Sequence, residues 1–540
     1  MMDEPFAITL DVGSSLANHT GTWRTERPVY LDRTPPCSAA CPAGEQIQRW
    51  LYDAEDGGYE AAWRTIMRAN PFPAVTGRVC YHPCESACNR GELDTEVGIH
   101  SVERFLGDEA VRAGWTPDPV ATATGRRVLV VGAGPSGLSA AHHLARLGHA
   151  VTVRDAQPQP GGMMRYGIPA YRLPRDVIDA EITRILALGV TLETGTTVDD
   201  VEAAAREFDA VYLAVGAQLG HRTAIPAGDG ARILDAVALL HDVAAGQPPA
   251  LGRRVVVYGG GDTALDAARS ARRLGATDPL VVYRRTHDRM PAHDAELAQA
   301  VEEGVTVRWL STVAHADAET ITVERMELDE RGFPQPTGEF EDLAADTLVL
   351  ALGQDVDSSA LTGVPGMLDE AGLVRTGPDF ATARPGVFAG GDAVAGERTV
   401  TTAIGNGAQA AARIDAYLRG VPLKTPPLPP PATFDLLNTV YYSDAPASVR
   451  PRLDLARRVS TFDEIEGGLD ADTALFEARR CLSCGTCFEC DNCYGMCPDN
   501  AITKLGPGLR FTIDYDYCKG CGICVAECPA GAITLEPEES

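Results

Sequence analysis

The sequence predicts a multidomain α/β protein. Three observations lead to this prediction: the length of 540 residues, two strand–glycine–helix units in the middle of the chain, and cysteines confined to its two ends. Because one hydrophobic core rarely serves more than about 250–300 residues, we expect three or four domains. Hydrophobic residues make up 45% of the chain and charged residues 23%, a balance typical of folded globular proteins.

Charge and hydropathy narrow the classes of partner. The formal net charge is −28, from 47 basic and 75 acidic residues. A surface this acidic disfavours nucleic acid and anionic lipid, although it would suit a basic protein partner or simply keep the chain in solution. No apolar run approaches the roughly 18 residues that cross a bilayer, and Met1–Pro5 lacks the basic start of a signal peptide. We therefore expect a cytoplasmic protein with no membrane insertion.

The first strand–glycine–helix unit predicts a dinucleotide site. The strand Val128–Val131 runs into Gly132-Ala-Gly134-Pro135-Ser136-Gly137 and then into an apolar helix over Ser136–Leu147. The first glycine permits a tight turn, the second lets the backbone approach a pyrophosphate, and the third lets the helix pack on the strand. Asp155 closes the next strand, where a carboxylate can accept hydrogen bonds from ribose hydroxyls.

The second unit repeats this arrangement with a different strand end. Val255–Tyr258 leads into Gly259-Gly-Gly261-Asp262-Thr263-Ala264, and the following strand ends in Tyr283-Arg284-Arg285. An acid at that place would favour the free 2′-hydroxyl of NAD, whereas arginines suit the 2′-phosphate of NADP. The alternative is that the arginines form a solvated strand end. We expect NADP(H) rather than NAD(H).

The cysteines predict metal ligation. All 15 lie at positions 37–88 or 481–528. Thiols stay reduced in the cytosol, so clustered cysteines there indicate ligands rather than disulfides. Cys80, Cys84 and Cys88 recur every four residues, which in a helix would place them on one side.

The tail carries the spacing Cys-x2-Cys-x2-Cys-x3-Cys-Pro twice. The two runs are Cys487, Cys490, Cys493 and Cys497, then Cys518, Cys521, Cys524 and Cys528. This is the run of bacterial ferredoxins with two [4Fe–4S] clusters, in which each fourth cysteine ligates the other cluster. We therefore expect one cluster on Cys487, Cys490, Cys493 and Cys528, and another on Cys497, Cys518, Cys521 and Cys524. A zinc site would rarely show this duplicated spacing.

Several further motifs occur in the order of one known family. They are Gly161-Gly162-Met163-Met-Arg165-Tyr166-Gly-Ile168-Pro169, Tyr171–Pro174, Tyr283–Thr286 with Met290–Ala292, and Gly390-Gly391-Asp392 with Thr399–Ala411. Together they resemble the glutamate synthase small subunit family, which includes the flavin arm of dihydropyrimidine dehydrogenase and the large subunit of NADH-dependent ferredoxin:NADP oxidoreductase. The resemblance covers roughly residues 35–420.

The resemblance implies FAD in the first site and an NADP(H) domain inserted between two halves of the FAD domain. It places Asp392 near the phosphate and ribitol chain, and the N-terminus of the Thr399–Ala411 helix against the flavin ring. The candidate cofactor-binding residues are Gly132, Gly134, Pro135, Ser136, Gly137, Asp155, Gly162, Met163, Arg165, Tyr166, Ile168, Gly259, Gly261, Asp262, Thr263, Arg284, Arg285, Gly391, Asp392, Thr401 and Ala403.

Seven cysteines remain outside the ferredoxin runs. The family has an N-terminal segment with two ligands, which this chain lacks before Cys37; it carries Cys481-Leu-Ser-Cys484-Gly before the ferredoxin runs instead. The resemblance implies one cluster on Cys37, Cys88, Cys481 and Cys484, and another on Cys41, Cys80 and Cys84 with Glu103 as fourth ligand. Four [4Fe–4S] clusters would then use every cysteine. The alternatives are that the N-terminal cysteines hold one cluster or none, and that Glu103 is an ordinary exposed helix residue.

These assignments divide the chain into six segments. We expect a helical iron–sulfur domain at 1–122, the first half of the FAD domain at 123–230, the NADP(H) domain at 231–354, the second half of the FAD domain at 355–423, a proline-rich linker and mixed segment at 424–480, and an α+β bacterial-type ferredoxin domain at 481–540. The two nucleotide domains are Rossmann-like.

The expected chemistry is electron transfer without a general base or nucleophile. The protein would stack a nicotinamide on the flavin, and the clusters would carry single electrons to or from a partner. Cys484–Pro498 resembles the ferredoxin-like subunit of 2-oxoacid:ferredoxin oxidoreductases, which indicates ferredoxin or a partner oxidoreductase subunit. The alternatives are a glutamate synthase small subunit and, from another class, a redox sensor or cluster scaffold without turnover. His82, His100 and His221 are given no catalytic role.

Overall fold

The computed structural model describes residues 19–221, 223–361, 364–423 and 427–538. The N-terminal start at Met1–Pro5 and the beginning of the predicted linker, residues 424–426, lie outside the described residues. Within those four ranges, no helix has both the length and the apolar character needed to cross a membrane.

The N-terminal region begins with a strand and continues as helices. Its elements are β1 (Glu26–Tyr30), α1 (Pro36–Ala40), α2 (Ile47–Glu55), α3 (Tyr59–Ile66), α4 (Pro73–Val79), α5 (Pro83–Ser86) and α6 (Ile99–Ala113). Cys80, Cys84 and Cys88 do not share one helix, contrary to what their spacing would allow. The helical path breaks between α4 and α5 because His82 has a left-handed backbone, with a φ of 48°, and Pro83 begins α5.

The first nucleotide-binding domain starts after α6. Its elements before the insertion are β2 (Arg127–Val131), α7 (Pro135–Arg146), β3 (Ala150–Asp155), α8 (Met163–Tyr166), α9 (Arg175–Leu186), β4 (Thr191–Thr194), α10 (Val201–Glu207), β5 (Ala210–Leu213) and β6 (Leu219–Gly220). The strand Val128–Val131 and the helix Ser136–Leu147 are thus confirmed to within one residue. β2 is buried on both faces, as expected of a central parallel strand.

The second nucleotide-binding domain contains two sheets. Its elements are β7 (Ile233–Asp235), α11 (Ala236–Ala244), β8 (Arg254–Tyr258), α12 (Asp262–Arg273), β9 (Asp278–Val282), α13 (Asp294–Glu302), β10 (Thr306–Arg308), β11 (Ser311–Ala316), β12 (Thr320–Leu328), β13 (Pro334–Ala344), β14 (Thr347–Leu350) and β15 (Gln354–Asp355). The parallel sheet has the order β10–β9–β8–β14–β7, and β11–β12–β13 form an antiparallel sheet beside it.

The chain then returns to the first sheet. β16 (Val387–Ala389) pairs in parallel with β5, which completes the order β16–β5–β2–β3–β4. The helix α14 (Val400–Arg419) follows and packs against α7. The second nucleotide-binding domain is therefore inserted into the first, which confirms this part of the predicted fold.

The C-terminal region has short elements around its cysteines. They are α15 (Leu455–Arg458), α16 (Ala471–Ala478), α17 (Asn492–Gly495), β17 (Ile502–Gly506), β18 (Arg510–Ile513), α18 (Ile523–Ala526) and β19 (Ile533–Pro537). β17 and β18 form a hairpin. β19 pairs antiparallel with β1, so the two ends of the chain share a sheet.

Parts of the segment predicted as a linker, residues 424–480, pack against other regions of the molecule. The backbone N–H of Ile465 donates to the carbonyl of Tyr171 at 3.0 Å. The buried Arg458 pairs with Glu303 of the inserted domain at 3.3 Å. A buried ion pair orders both partners, since breaking it leaves an unpaired charge in a poorly solvated place. The segment thus contacts both the first nucleotide-binding domain and the domain inserted into it, and it is more than a spacer.

Candidate functional site

A single cavity of about 1160 Å³ lies between the two glycine turns. Most of the predicted cofactor-binding residues line it: Gly132, Gly134, Pro135, Ser136, Asp155, Gly162, Met163, Ile168, Gly259, Gly261, Asp262, Thr263, Arg284, Arg285, Gly391, Asp392 and Ala403. They come from both nucleotide-binding domains because the carboxyl ends of the two parallel sheets face each other across it. Ligands bind at such ends in open α/β sheets.

The first turn is shaped for close backbone approach. Gly132 has a φ of 105°, and a Cβ there would lie 2.3 Å from the carbonyl oxygen of Ala214. Asp155 is buried, and its carboxylate accepts from the backbone N–H of Ala133 at 2.5 Å and of Gln157 at 2.7 Å. Burial raises the pKa of Asp155. The carboxylate therefore holds the turn in shape at the wall of the cavity.

Asp392 lies at the same end of the cavity. Burial raises its pKa to about 6, and the guanidinium of Arg398 opposes that change. The short turn that carries Asp392 is held to α14, because the N–H of Gly391 donates to Asn406 Oδ1 at 3.1 Å. The position agrees with the role that the resemblance gives to Asp392.

Four predicted cofactor residues do not line this cavity. Gly137 lies between α7 and β2, where a Cβ would come within 1.9 Å of the carbonyl oxygen of Gly132. Arg165 donates to the carbonyl of Pro160 at 2.6 Å and pairs with Asp179. The remaining two have other surroundings: Tyr166 stacks on His241 at 4.7 Å between ring centres, and the buried Thr401 hydroxyl has no hydrogen-bond partner among the described residues.

The two arginines after β9 border a second cavity of about 720 Å³. Its other wall is the tip of the β12–β13 hairpin, with Arg331 and Phe333 among its residues. The Arg285 guanidinium carbon lies 5.9 Å from the Phe333 ring centre. Arg285 Nε is buried and has no hydrogen-bond partner among the described residues. An unpaired guanidinium N–H at this place indicates a missing acceptor, and a phosphate would supply it.

Several residues that line the main cavity were not predicted from the sequence. Tyr81 donates to Asp262 at 2.9 Å and stacks on His293 at 3.3 Å between ring centres. The Arg172 side chain is only 9% exposed and pairs with Asp266 at 2.8 Å. Tyr81 follows Cys80 directly, and Arg172 belongs to the Tyr171–Pro174 motif, so both had a signal in the sequence. Through Tyr81, the N-terminal helical region contacts the inserted domain.

Cysteines from both ends of the chain meet at one small cavity. Cys37, Cys88, Cys481 and Cys484 all line it. Burial raises the pKa of the Cys481 thiol, and Cys484, Cys37 and Cys88 raise it further. These four thiols are the set that the resemblance implied for one cluster, and the structure brings them together from positions more than 390 residues apart.

A second group of thiols lies closer to the main cavity. Burial raises the pKa of Cys84, with smaller increases from Glu85, Cys80, Cys41 and Glu103. This places the three remaining N-terminal cysteines and Glu103 in one neighbourhood. Gly405 of α14 packs so closely on the Cys41 loop that a Cβ there would lie 2.0 Å from the carbonyl oxygen of Pro42. α14 therefore contacts both the loop after Cys41 and, through its first turn, the main cavity.

Glu103 is buried rather than exposed. Its Oε1 accepts from Asn70 Nδ2 at 2.9 Å and from the Thr76 hydroxyl. A second buried carboxyl, Glu45, accepts from the same Asn70 amide at 2.9 Å. Burial raises the pKa of both carboxyl groups, and the proximity of Glu45 raises that of Glu103 further. Sequence reasoning did not find Glu45, although it follows Cys41 by four residues.

Cysteines of the two ferredoxin runs lie close together in one cluster. Burial raises the pKa of Cys493 to about 11, and among the other causes are Cys487, Cys490 and Cys528. Burial raises the pKa of Cys524 to about 12, and among the other causes are Cys518, Cys493, Cys497 and Cys521. Cys528 thus acts on the first run and Cys497 on the second, as the crossed sets require.

These residues fit the groups that the resemblance implies. All 15 cysteines are free thiols, and they lie near one another at the two places described above, around the N-terminal helices and in the ferredoxin domain. Thiolates grouped in this way are the donors of iron–sulfur clusters. The glycine turns leave room for a pyrophosphate, and the unpaired Arg285 Nε calls for an anionic acceptor.

Three family models match the chain. The pyridine nucleotide–disulphide oxidoreductase family matches residues 104–407. The 4Fe–4S cluster domain described as domain II of dihydropyrimidine dehydrogenase matches residues 19–115. The 4Fe–4S dicluster domain matches residues 486–532.

Curated relatives agree with these matches. The beta subunit of NADP(+)-dependent formate dehydrogenase from Moorella thermoacetica is 37% identical over 84% of this chain and 70% of its own. The beta subunit of NADPH-Fe(3+) oxidoreductase from Geobacter sulfurreducens is 33% identical over 84% and 76%. The small chain of NADPH glutamate synthase from Halomonas elongata is 34% identical over 71% and 88%. The chain therefore belongs to the pyridine nucleotide–disulphide oxidoreductases, as a glutamate synthase small subunit-like FAD- and NADPH-dependent iron–sulfur oxidoreductase.

Proposed function

We propose that this oxidoreductase carries electrons between NADP(H), one FAD and four [4Fe–4S] clusters, and exchanges them with a partner oxidoreductase subunit. The observation that carries the proposal is the order of the sites. The first turn of α14 lines the cavity with both glycine turns, Gly405 of the same helix packs on the Cys41 loop, and one apolar cluster joins Cys41 and Cys84 to Cys37, Cys88 and Cys481.

The chain's residues would hold and orient the cofactors. The turn at Gly132 and the carboxylates of Asp155 and Asp392 border the place for FAD. Arg284 and Arg285 would bind the 2′-phosphate of NADP(H), with Arg331 across the second cavity. FAD, when bound, can accept a hydride pair from a nicotinamide and release electrons one at a time.

The thiol groups would form a continuous series from the flavin to the ferredoxin domain. Gly405 of α14 packs on the loop that follows Cys41. Tyr442 would lie between the set of Cys37, Cys88, Cys481 and Cys484 and the ferredoxin runs: its hydroxyl donates to the carbonyl of Leu482 at 2.8 Å, and its pKa is raised by burial and by Cys481, Cys484, Cys490 and Cys528. The segment predicted as a linker thus supplies an aromatic residue between two cluster sites.

The ferredoxin domain is the proposed side of contact with the partner. Cys490 and Cys521, one from each run, are exposed. Two relatives are named as beta subunits, of a formate dehydrogenase and of an NADPH-Fe(3+) oxidoreductase. These names favour a partner subunit that carries its own active site. Free ferredoxin, or a 2-oxoacid:ferredoxin oxidoreductase complex, would contact the same exposed side of the ferredoxin domain.

Two measurements test the proposal. Protein purified anaerobically should contain one FAD and about sixteen irons, since each of four cubane clusters holds four. NADPH should reduce the flavin with a higher kcat/KM than NADH, by about ten- to a hundredfold, because charge-assisted hydrogen bonds to the 2′-phosphate contribute roughly 1.5–3 kcal/mol each. Arg284→Ala with Arg285→Ala should remove this preference. A preference for NADH in the wild type would contradict the assignment.

A glutamate synthase small subunit is the second candidate. The small chain from Halomonas elongata aligns over 88% of its own length, which favours it. A glutamate synthase small subunit needs a large subunit. A co-purified partner that forms glutamate from glutamine would therefore support this second candidate. A co-purified partner without that activity would support the first candidate.

A further inference from the structure

The ferredoxin domain takes one of its strands from the other end of the chain. The residues just before Cys487 do not supply this strand, because Cys481 and Cys484 lie with the N-terminal cysteines Cys37 and Cys88. In the described part of the chain, no strand lies between α16 and Cys487. β19 pairs instead with β1, in antiparallel register from Glu26 opposite Pro537 to Tyr30 opposite Ile533.

Polar contacts hold β1 in this place. The Arg24 guanidinium pairs with Glu538 at 2.6 Å and donates to the carbonyls of Tyr515 at 2.6 Å and Cys518 at 2.9 Å. The Tyr515 hydroxyl donates to the carbonyl of Pro28 at 2.9 Å. Because the Arg24 side chain is only 9% exposed, these bonds are protected from water and fix the strand.

The last residue of β1 reaches a cluster ligand. The Tyr30 hydroxyl lies 3.2 Å from Cys493 Sγ. Its ring stacks on Phe511 of β18, at 6.3 Å between ring centres, and belongs to the apolar cluster that contains Cys493, Cys524 and Cys528. A ligating cysteine is a thiolate and has no proton, so the phenol must be the donor when a cluster is bound.

We propose that Tyr30 is a positioning residue that raises the reduction potential of the cluster on Cys487, Cys490, Cys493 and Cys528. This inference rests on the proposed function, since it requires that cluster. A donor to a ligating sulfur stabilises negative charge on it, and reduction adds negative charge. The N-terminal strand β1 would therefore set the reduction potential of this cluster through one hydroxyl group.

The test is Tyr30→Phe in the full-length protein, with Tyr515→Phe as the matched control. Both variants remove one phenol hydroxyl and one hydrogen bond that joins β1 to the ferredoxin domain, but only Tyr30 contacts a sulfur. Redox titration followed by electron paramagnetic resonance gives the potential of each cluster, and iron analysis gives the number of clusters.

At a given applied potential, Tyr30→Phe should lower the ratio of reduced to oxidised cluster by about three- to tenfold. This is the effect expected from the loss of one hydrogen bond that stabilises the reduced cluster. Tenfold corresponds to about 59 mV for one electron. Iron content should stay at the wild-type value because every thiolate remains. Tyr515→Phe should leave the potential of this cluster unchanged.

An unchanged potential in Tyr30→Phe with full iron content would overturn the inference and leave the proposed function intact. An equal shift in both variants would also overturn it, because the effect would then come from strand docking. Wild-type protein without the ferredoxin irons would overturn the proposed function and this inference with it. If Tyr30→Phe loses iron, 3-fluorotyrosine at position 30 decides: this more acidic phenol of similar shape should raise the potential, and no change would refute the role.

Discussion

The two groups of cysteines differ in how far along the chain their partners lie. The ferredoxin runs close within residues 487–528, whereas Cys37 and Cys88 meet Cys481 and Cys484 across nearly the whole chain. Ligands that are close in sequence come together as soon as the short loops between them fold, whatever the rest of the chain does. A split set needs the entire tertiary structure first, because closing so long a loop costs entropy that other contacts must offset. The cluster at the split site is therefore expected to report on the integrity of the whole molecule.

Deletion of residues 481–540 should give the largest effect. It should remove about twelve irons per chain, although the deleted ferredoxin runs account for only about eight, because the split set loses two of its four thiolates. Iron and sulfide analysis of the anaerobically purified protein measures this. Loss of only about eight irons would show that the N-terminal region closes its clusters alone, and the difference between the two groups would disappear.

Cys481→Ala with Cys484→Ala should remove about four irons, since two remaining thiolates cannot hold a cubane. The ferredoxin pair keeps all its ligands and should survive. NADPH should still bleach the flavin, because the main cavity has no residue from positions 481–484. Electron delivery from NADPH to a ferredoxin acceptor should fall sharply. Full iron content in this variant would contradict the split set.

Arg24→Ala should destabilise the contact between the two chain ends. The variant loses the pair with Glu538 and leaves the carbonyls of Tyr515 and Cys518 with one donor fewer. We expect a loss of about 1.5–3 kcal/mol, the range of hydrogen bonds to charged groups. Urea unfolding followed by absorbance of the bound clusters measures it.

The matched control is Arg27→Ala, three residues further along, within β1. Arg27 lies 4.0 Å from Glu536, and both side chains are at least one-third exposed, so the pair should contribute less than about 1 kcal/mol. Equal effects of the two substitutions would show that β1 is not held by its buried contacts.

Much of the fold could be predicted because its signals are local. Gly132, Gly137 and Gly259 stand where a Cβ would meet a backbone carbonyl oxygen at 2.3 Å or less, and the strands before the two glycine turns are short apolar runs. The arginines after β9 could also be found from a local signal, because they directly follow the second strand of a recognisable strand–glycine–helix unit. Thr401 was assigned to the cofactor site because its helix was, but it does not line the main cavity, whereas Val400 and Ala403 of the same helix do.

Residues whose role depends on distant partners escaped prediction. Glu45 was identified only in the structure, where it and Glu103 accept hydrogen bonds from the same Asn70 amide. Tyr442 was identified only because it lies near cysteines of two different groups. The segment at 424–480 looked like a spacer because prolines and mixed polarity show the absence of regular structure and say nothing about contacts. Its buried Arg458 pairs with a carboxylate more than 150 positions away.

The amino-acid sequence alone determined the two glycine turns, the two ferredoxin-type cysteine runs and the family, because each depends on spacing within a few tens of residues. Tertiary structure decided how the ends meet. It placed β1 beside β19, brought Cys481 and Cys484 to Cys37 and Cys88, and set the Tyr30 hydroxyl 3.2 Å from Cys493 Sγ. Such contacts form only when packing elsewhere has already brought the segments together, and no local pattern in either segment encodes the other.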